Sequence, residues 1–423
     1  MTWPACGADA DDADACAPDA CGAEGGGGGG READATETGS ADPCGGAGGA
    51  AGGTAPGEGG AARSAGTDGH AGRRATSAAA TNRGATDAGA SDAKATSSEA
   101  TAGDLAIRRG GDGSLSLWSA AFGEGFHSAR GALREGRETF LHPSELGRFQ
   151  RGQPLRVLEV CAGTGSNLAL LLEACADRGL ALQWWGLELD PRPLALALAQ
   201  PAFRDPWPPR TLACLESLQH HGRWRQASSA GRMLWGDARQ RLEALEAGCG
   251  GEPGGAIDLI WHDAFSPQRC PQLWSCEFLA RLARLLAPQG RWISYCSAAA
   301  VRQALRLAHL HLAALPAPSA PTGQLPHRRQ AHHWSGGTVA SPRPLAPSTL
   351  WRPLTAMEWD HLASGAGEPY RDPAGTASAA AILARRHQAQ AAAQARGERS
   401  SSSAWRRRWG LERGSEASGT GGG

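Results

Sequence analysis

The chain has 423 residues, enough for two or three domains, and its 42 basic residues balance its 42 acidic residues. This balance neither favours nor excludes a nucleic-acid partner. No apolar stretch is long enough to span a bilayer, and no basic segment followed by an apolar run marks a secretory signal. We therefore expect neither a membrane span nor export.

Residues 1–104 consist mainly of Ala, Gly, Ser, Thr and Asp, and they include an unbroken glycine run at 25–30. Such a segment cannot bury enough apolar surface to offset the entropy lost on ordering, so the sequence predicts a disordered tail over 1–104. Its cysteines lack metal-ligand spacing, and we expect no metal site. Cysteines in strand- and helix-like segments, such as Cys161, suit reduced thiols and favour a cytoplasmic protein.

The segment 105–154 is predicted as a β-rich extension. Apolar bursts at 105–107 and 115–118 flank a turn signal at 112–114, which indicates a hairpin. After this hairpin, His127 stands directly beside Phe126 in the sequence. A lone histidine beside an aromatic residue is more often structural than catalytic.

The region 155–345 alternates between strand-like and helical patterns. Strands are predicted at 155–160, 182–187, 232–235, 257–262 and 291–296, with a last pair at 311–315 and 332–340. Helices are predicted at 166–176, 191–199, 211–220, 239–247, 273–286 and 298–308, whereas 201–209, 224–231 and 248–255 are predicted as loops. This alternation predicts a parallel sheet with helices on both faces.

In such a sheet, ligands bind at the carboxyl ends of the strands. Gly163 and Gly165 form a turn after the first strand, and Glu188, Asp237 and Asp263 follow the second, third and fourth strands. One acidic residue would mean little, because Asp commonly caps a helix. Four such features, in the order expected for one ligand, indicate a binding site.

The glycine turn reads Glu159-x-x-x-Gly163-x-Gly165, without the third glycine of the dinucleotide fingerprint. It resembles motif I of the class I S-adenosylmethionine methyltransferases. In such a site, N–H groups near the turn suit the methionine carboxylate, Glu188 suits the ribose hydroxyls, and Asp237 suits the adenine amino group. A helix N-cap is the alternative for Asp237, and a loop carboxylate is the alternative for Glu188.

Asp263 follows the fourth strand, where an acceptor would meet the methyl group. A carboxylate there can orient a neutral amine and take its proton as positive charge develops. Phe265 and Pro267 would form a wall of the pocket. The lack of an Asp-Pro-Pro-Tyr sequence argues against the amino-methyltransferases of DNA, and Cys270 and Cys276 are interpreted as ordinary thiols.

Six blocks together resemble the tRNA 5-methylaminomethyl-2-thiouridine methyltransferase family, over about 105–340. They are Phe126-His127-Ser128, Glu138-Thr139-Phe140-Leu141, the glycine turn with Asn167, Gly236-Asp237-Ala238, Asp263-Ala264-Phe265-Ser266-Pro267 with Pro271-x-Leu273-Trp274, and 294–302.

The resemblance implies a class I Rossmann-like fold with a mostly parallel seven-stranded sheet and S-adenosyl-L-methionine as the cofactor. It further implies methyl transfer to the 5-aminomethyl group of the wobble uridine in tRNA, with or without 2-thiolation. By position, it implies catalytic roles for Asp263, Phe265 and His127. It implies cofactor contacts for Glu159, Gly163, Gly165, Asn167, Glu188, Asp237 and Ala238.

The sequence departs from the family pattern at several points. Cys161-Ala162 replaces Phe-Gly before Gly163, Ala264 replaces a glycine, and the family's basic stretch is represented only by 327–329. No second glycine fingerprint follows residue 340. The sequence therefore predicts the methyltransferase half of the bifunctional enzyme without its flavin-dependent oxidoreductase half.

After the core, the sequence predicts a proline-rich loop over 341–370 and a strap and helix within 346–395. The strap would lie at 369–373 and the helix at 379–395. Residues 396–423 are predicted as a disordered basic tail. Its Trp405–Trp409 stretch would either grip phosphates and stack on bases or have no fixed role.

Two other functions stay open from the residues alone. The chain could be a class I methyltransferase acting on another amine, or a non-catalytic cofactor-binding module that accompanies RNA. The sequence does not determine the oligomeric state.

Overall fold

The computed structural model describes residues 101–102, 104–247, 256–317 and 335–411. Residues 1–100 of the predicted tail, the predicted linker 248–255 and the basic stretch 327–329 lie outside the described residues. Every described residue falls within the unit Asp87–Gly423.

An antiparallel sheet precedes the core. It contains β1 (Thr101–Ala102), β2 (Leu105–Arg109), β3 (Leu115–Ser119) and β4 (Glu124–Gly125), and the β2–β3 pair confirms the predicted hairpin. Between Ala132 and Arg148 the predicted β-rich extension is mainly helical, which corrects that prediction. Here α1 (Ala132–Glu135) continues into a π-helix (Gly136–Leu141) and two 3₁₀ turns.

The turn of the β2–β3 hairpin explains why α1 begins at Ala132. The Ser114 hydroxyl accepts a hydrogen bond from the Ala132 N–H at 2.8 Å, and the Asp112 carboxylate accepts one from the Arg134 N–H at 2.8 Å. These bonds satisfy N–H groups that the first turn of a helix leaves without partners. The cap comes from residues distant in sequence, so no local cap signal precedes α1.

The core sheet has eight strands in the order β11-β12-β10-β9-β5-β6-β8-β7. The central pairs β8–β6, β6–β5, β5–β9 and β9–β10 are parallel, and the three outer pairs are antiparallel. The strands are β5 (Pro154–Val160), β6 (Ala181–Glu188), β7 (Arg223–Gln226), β8 (Ser229–Trp235), β9 (Ile257–His262), β10 (Leu286–Ser294), β11 (His311–Leu315) and β12 (Gly337–Ser341).

Helices cover both faces of this sheet. One face packs on α2 and α5 around Trp184 and Trp261, and the other packs on α6, α7 and α8 around Trp274 and Trp292. The helices are α2 (Ser166–Arg178), α3 (Arg192–Leu198), α4 (Pro201–Arg204), α5 (Pro209–His221), α6 (Ala238–Glu246), α7 (Cys276–Leu285), α8 (Ala299–Leu307), α9 (Ala356–Ala363), α10 (Ala379–Ala395) and α11 (Ser402–Arg408).

The predicted mostly parallel α/β sheet is confirmed, with one strand more than the predicted seven. The extra strand is β7, in a segment predicted as a loop, and it forms an edge hairpin with β8. Trp224 is buried there while the neighbouring arginines Arg223 and Arg225 are exposed. This alternation is too short and too charged to be distinguished from a loop in the sequence.

Three further predicted elements differ from the structure. The proline-rich segment 201–209 contains the short helix α4, because proline is tolerated in a first helical turn. The helix predicted over 273–286 begins at Cys276, where the Ser275 hydroxyl caps it by accepting from the Phe278 N–H at 3.2 Å. The strand predicted over 291–296 begins earlier, because β10 follows α7 directly at Leu286.

The C-terminal segment packs onto the core. The predicted helix 379–395 is confirmed, and the predicted strap is present, with the buried Tyr370 carbonyl accepting from the Cys276 N–H at 3.0 Å. Within the predicted loop, residues Ala356–Ala363 form α9. The predicted disordered tail contains α11, because the Trp405 ring is buried, stacks on His361 and donates to the Met357 carbonyl at 3.2 Å.

The six cysteines of the described part are all free thiols. In the same residues, we find no helix with the length and apolar character needed to cross a membrane.

Candidate active site

Backbone hydrogen bonds bring the turns after four parallel strands to one edge of the sheet. The Cys161 N–H donates to the Leu187 carbonyl at 2.8 Å, and the Asp263 N–H donates to the Val160 carbonyl at 3.0 Å. The Gly236 N–H donates to the Glu188 carbonyl at 2.8 Å. The glycine turn and the three predicted acidic positions therefore lie at one edge.

The glycine turn is held by Glu188. One carboxylate oxygen of Glu188 accepts from the Gly163 N–H at 2.8 Å, and the other accepts from Leu189 and Asp190 at 2.8 and 3.1 Å. Burial raises the pKa of Glu188. Gly163 has φ of 53°, and a Cβ there would lie 3.2 Å from the Phe126 ring. Glycine at position 163 therefore permits the positive φ of the turn and the close packing of the Phe126 ring on its backbone.

Gly165 has a packing role in this structure. It is buried, and a Cβ there would lie 3.0 Å from a Leu194 methyl group and 3.3 Å from a Leu215 methyl group. Gly165 therefore permits close packing of α2 against α3 and α5, and its contact with the cofactor stays a prediction.

Asp237 is the N-cap of α6, which was the alternative to a contact with adenine. Its carboxylate accepts from the Arg239 N–H at 2.9 Å as the N-cap of α6, and it also pairs with the Arg239 guanidinium at 2.6 Å. The guanidinium reaches on to buried Asp372 at 2.8 Å. Ala238, the first residue of α6, is buried. A contact of Asp237 or Ala238 with adenine stays a prediction.

Asp263 is hydrogen-bonded to Asn167 and is affected by the charges of two other carboxyl groups, Glu135 and Glu159. The Asn167 side-chain N–H donates to Asp263 at 2.9 Å. Burial, followed by the negative charges of Glu135 and Glu159, raises the pKa of Asp263 well above its usual range, although the Asn167 bond opposes the shift. This carboxylate is therefore an unusually strong proton acceptor.

Glu135 is the member of this cluster that sequence reasoning missed. It is the last residue of α1, is 7% exposed, and accepts from the Ser128 N–H at 3.1 Å. The helix has four residues, too few for hydrophobic periodicity to reveal it. It passes directly into the π-helix, an element that is frequent at functional sites.

Glu159 corrects the prediction of a direct cofactor contact. Its side chain is 0% exposed and accepts from the Trp184 indole N–H at 3.0 Å. A group that no solvent molecule touches cannot touch a ligand without rearrangement. Asn167 is 4% exposed and bonds Asp263, so it also supports the site from behind.

Aromatic rings form a wall beside Asp263. The Phe265 ring stacks on Phe122 with centroids 4.5 Å apart, and Phe126 meets it edge-on at 5.1 Å. The Tyr295 hydroxyl donates to the Ala264 carbonyl at 2.8 Å, which fixes the loop that carries Phe265. The predicted position of Phe265 in the pocket wall is consistent with this geometry.

His127 does not bond the Asp263 carboxyl. Its Nδ1 lies 3.0 Å from the Ser116 hydroxyl of β3, and burial lowers the pKa of the imidazole. The ring is therefore neutral near pH 7 and ties the 126–128 segment to the hairpin. This bond gives His127 a structural role, and the catalytic role implied by the resemblance stays a prediction.

A family model described as S-adenosyl-L-methionine-dependent methyltransferase matches residues 215–319, which include the strand ends at Asp237 and Asp263. The chain therefore carries a methyltransferase domain. Its fold and this match together support S-adenosyl-L-methionine as the cofactor.

The chain is also similar in sequence to curated proteins. The chain is 31% identical over 287 residues to the tRNA 5-methylaminomethyl-2-thiouridine biosynthesis bifunctional protein MnmC of Pseudomonas aeruginosa, covering 63% of this chain and 40% of that protein. The protein of this name from Chromobacterium violaceum is 28% identical, with 57% of this chain and 36% of that protein covered. The chain thus spans about two fifths of the length of these relatives.

A solved structure extends the likeness to three dimensions. MNMC2 from Aquifex aeolicus superposes with a TM-score of 0.53 at 26% identity, covering 66% of this chain and 83% of that one. The methyltransferase domain of this chain is therefore MnmC-like.

Proposed function

We propose that this chain transfers a methyl group from S-adenosyl-L-methionine to the exocyclic amine of 5-aminomethyluridine, or of its 2-thio form, at the tRNA wobble position. The single observation that carries the proposal is the half-buried Asp263 carboxylate, held by Asn167 beside the Phe265 wall at the strand edge next to the glycine turn. We propose tRNA as the substrate because the names of the MnmC relatives refer to tRNA. Such a substrate suits a cytoplasmic enzyme.

The residues at the glycine turn fit the cofactor. Glu188 retains lone pairs for ribose hydroxyls beyond the N–H groups from which it already accepts. S-adenosyl-L-methionine supplies the electrophilic methyl group when bound.

Asp263 supplies the chemistry on the acceptor side. Its carboxylate can orient the amine nitrogen, since that nitrogen attacks only with its lone pair free. As the new N–C bond forms, the bond from the methyl carbon to the sulfonium sulfur would break and its electron pair would stay on sulfur. The nitrogen gains positive charge, which the half-buried carboxylate stabilises before taking a proton. Phe265 and Phe126 can bracket a base that has left its stack, as the single-stranded anticodon loop permits.

The test uses the full chain, S-adenosyl-L-methionine and tRNA that carries 5-aminomethyluridine, followed by digestion and mass spectrometry of the nucleosides. A gain of one methyl group on that nucleoside is the expected result. Free amines of similar structure serve as competing acceptors. Methylation of the free amines but not of the tRNA would move the assignment to another amine substrate, and binding without any turnover would support an accessory module.

Replacing Glu188 by Ala should weaken cofactor binding. The variant removes the acceptor for the Gly163 N–H and the proposed ribose contact, and hydrogen bonds to charged groups contribute about 1.5–3 kcal/mol. We expect the Kd of S-adenosyl-L-homocysteine, measured by calorimetry, to rise roughly 10- to 150-fold. Glu243→Ala, at an exposed position of α6, is the matched control. An unchanged Kd in the Glu188 variant would remove that residue from the cofactor site.

A further inference from the structure

The C-terminal strap is connected to the strand end at Asp237 through one arginine. The Arg239 guanidinium donates from Nη1 to an Asp372 carboxylate oxygen at 2.8 Å and to the Ala377 carbonyl at 3.0 Å. Its other N–H groups face Asp237, with Nη2 at 2.6 Å and Nε at 3.1 and 3.2 Å from the carboxylate oxygens. Arg239 therefore joins the first turn of α6 to a residue that lies 133 positions later in the chain.

The strap itself is fixed on the core. The Asp372 N–H donates to Glu277 of α7 at 2.8 Å, and the second carboxylate oxygen of Asp372 accepts from the Ala377 N–H at 3.1 Å. Close by in the chain, the Tyr370 carbonyl accepts from the Cys276 N–H at 3.0 Å. The Asp372 carboxylate is thus held in place independently of Arg239, and it holds the guanidinium there.

Burial explains why Asp372 requires a cation. The Asp372 side chain is 1% exposed, and the Arg239 side chain is 13% exposed. A carboxylate so far from water is costly unless an opposite charge compensates it. A guanidinium can do this and still bind Asp237, because its N–H donors point in several directions within one plane. A lysine ammonium lacks that second planar edge.

Asp237 keeps a side that a ligand can contact. Its side chain is 31% exposed, although Arg239 contacts both carboxylate oxygens. One guanidinium shared between two carboxylates leaves a net negative charge, so Asp237 remains a strong hydrogen-bond acceptor. It also lies beside the strand end of Glu188, the proposed ribose contact, because the Gly236 N–H donates to the Glu188 carbonyl at 2.8 Å.

We propose that Asp372 is a positioning residue for the adenine end of the cofactor site: it fixes Arg239, and Arg239 orients the Asp237 carboxylate toward the adenine amino group. The strap is then a part of the cofactor site. This inference rests on the proposed function, in which Asp237 contacts adenine. It concerns the cofactor alone, so its test needs no tRNA.

The test compares two ligands that differ at position 6 of the purine. S-adenosyl-L-homocysteine carries an amino group there, whereas S-inosyl-L-homocysteine carries a carbonyl oxygen, which a carboxylate repels. For the full chain, we expect calorimetry to show about 10- to 100-fold tighter binding of the adenine ligand. Asp237→Ala should abolish this preference. Asp372→Ala and Arg239→Met should each lower it roughly 3- to 10-fold, because the Asp237 carboxylate is then no longer held in one orientation.

Arg371→Ala is the matched control for Asp372→Ala. Arg371 is the neighbouring residue of the strap, is exposed and pairs with Glu277 at 3.2 Å, and its loss should leave the preference unchanged. Asp372→Ala combined with Asp237→Ala should match Asp237→Ala alone, since Asp372 acts through that carboxylate. Asp372→Asn keeps the volume of the side chain and should lower the preference in the same direction, so it replaces Asp372→Ala if that variant does not fold.

A preference that Asp372→Ala and Asp372→Asn leave unchanged overturns the proposal, as does a wild-type chain that binds both ligands equally well. Equal rises of both Kd values, or an equal loss of preference in Arg371→Ala, would show a general role in folding and would also overturn it. If the variants behave as expected but the wild-type chain methylates no tRNA, the proposed function fails and the role of Asp372 stands.

Discussion

Replacing Asp263 by Asn should abolish most methyl transfer while leaving cofactor binding intact. The amide keeps the size of the side chain but cannot take a proton or balance the charge that develops on the acceptor nitrogen. Loss of such a group typically costs about 10²- to 10⁴-fold in rate. Single-turnover transfer to tRNA carrying 5-aminomethyluridine measures the effect, and calorimetry with S-adenosyl-L-homocysteine measures binding.

The control for Asp263→Asn is Asp205→Asn, an exposed acidic residue after α4 that should retain the wild-type rate. Unchanged turnover in Asp263→Asn would remove this residue from the chemistry. Lost cofactor binding would instead place Asp263 among the cofactor contacts.

The pH profile provides an independent check on Asp263. Because burial and the charges of Glu135 and Glu159 raise its pKa, the carboxylate becomes protonated, and the rate falls, at a higher pH than for an ordinary carboxyl. Glu135→Gln removes one of those charges, so the acidic limb of kcat/KM should move to lower pH. Protonation of the acceptor amine also lowers the rate, but the pKa of that amine should not change. An Asp263 pKa that is unchanged in Glu135→Gln would contradict this electrostatic coupling.

Replacing Arg302 by Met should destabilise the fold severely. The Arg302 guanidinium is 2% exposed and donates to Glu358 at 3.0 Å, Thr338 at 2.9 Å, Ser335 at 2.7 Å and the Gly337 carbonyl at 2.9 Å. Its loss leaves the buried Glu358 charge with Arg352 as its remaining cation. Breaking a buried pair typically costs about 3–5 kcal/mol, which urea denaturation can measure.

Two further variants separate the charge effect from lost packing. Arg306→Met, one turn further along α8 and exposed, should change the free energy of unfolding by no more than about 0.5 kcal/mol. Arg302→Met combined with Glu358→Gln should recover part of the loss, because the buried charge is gone while α9 keeps an acceptor at its cap. Arg302→Met matching Arg306→Met would contradict the assignment.

The same ion pair gives an acid limit to stability. Burial opposes ionisation of Glu358, but hydrogen bonds from Arg352 and Thr355 and the charge of Arg302 hold its pKa at about 2. A lowered folded-state pKa contributes stability above the ordinary value of about 4.3, and that contribution is lost as the pH falls toward 2.

The sequence by itself determined the elements whose signals are local. The hairpin around 112–114, the strands that end before Gly163, Glu188 and Asp263, and the alanine-rich helix 379–395 were all predicted, because turn residues, apolar runs and helix periodicity act within a few positions. Parallel strands align their carboxyl ends, so the meeting of the glycine turn with three acidic positions also followed from the order of elements.

Only the tertiary structure decided what each polar side chain contacts. Glu159 is a buried partner of Trp184, His127 bonds Ser116, and Asp237 caps α6, although each lies in a motif that suggested a ligand contact. Arg302, the last residue of the 294–302 motif, also has a role that the sequence did not reveal. It forms an ion pair with Glu358 of α9, a helix in a segment that was predicted as a loop. These roles depend on burial and on partners distant in sequence, and neither is encoded in local spacing.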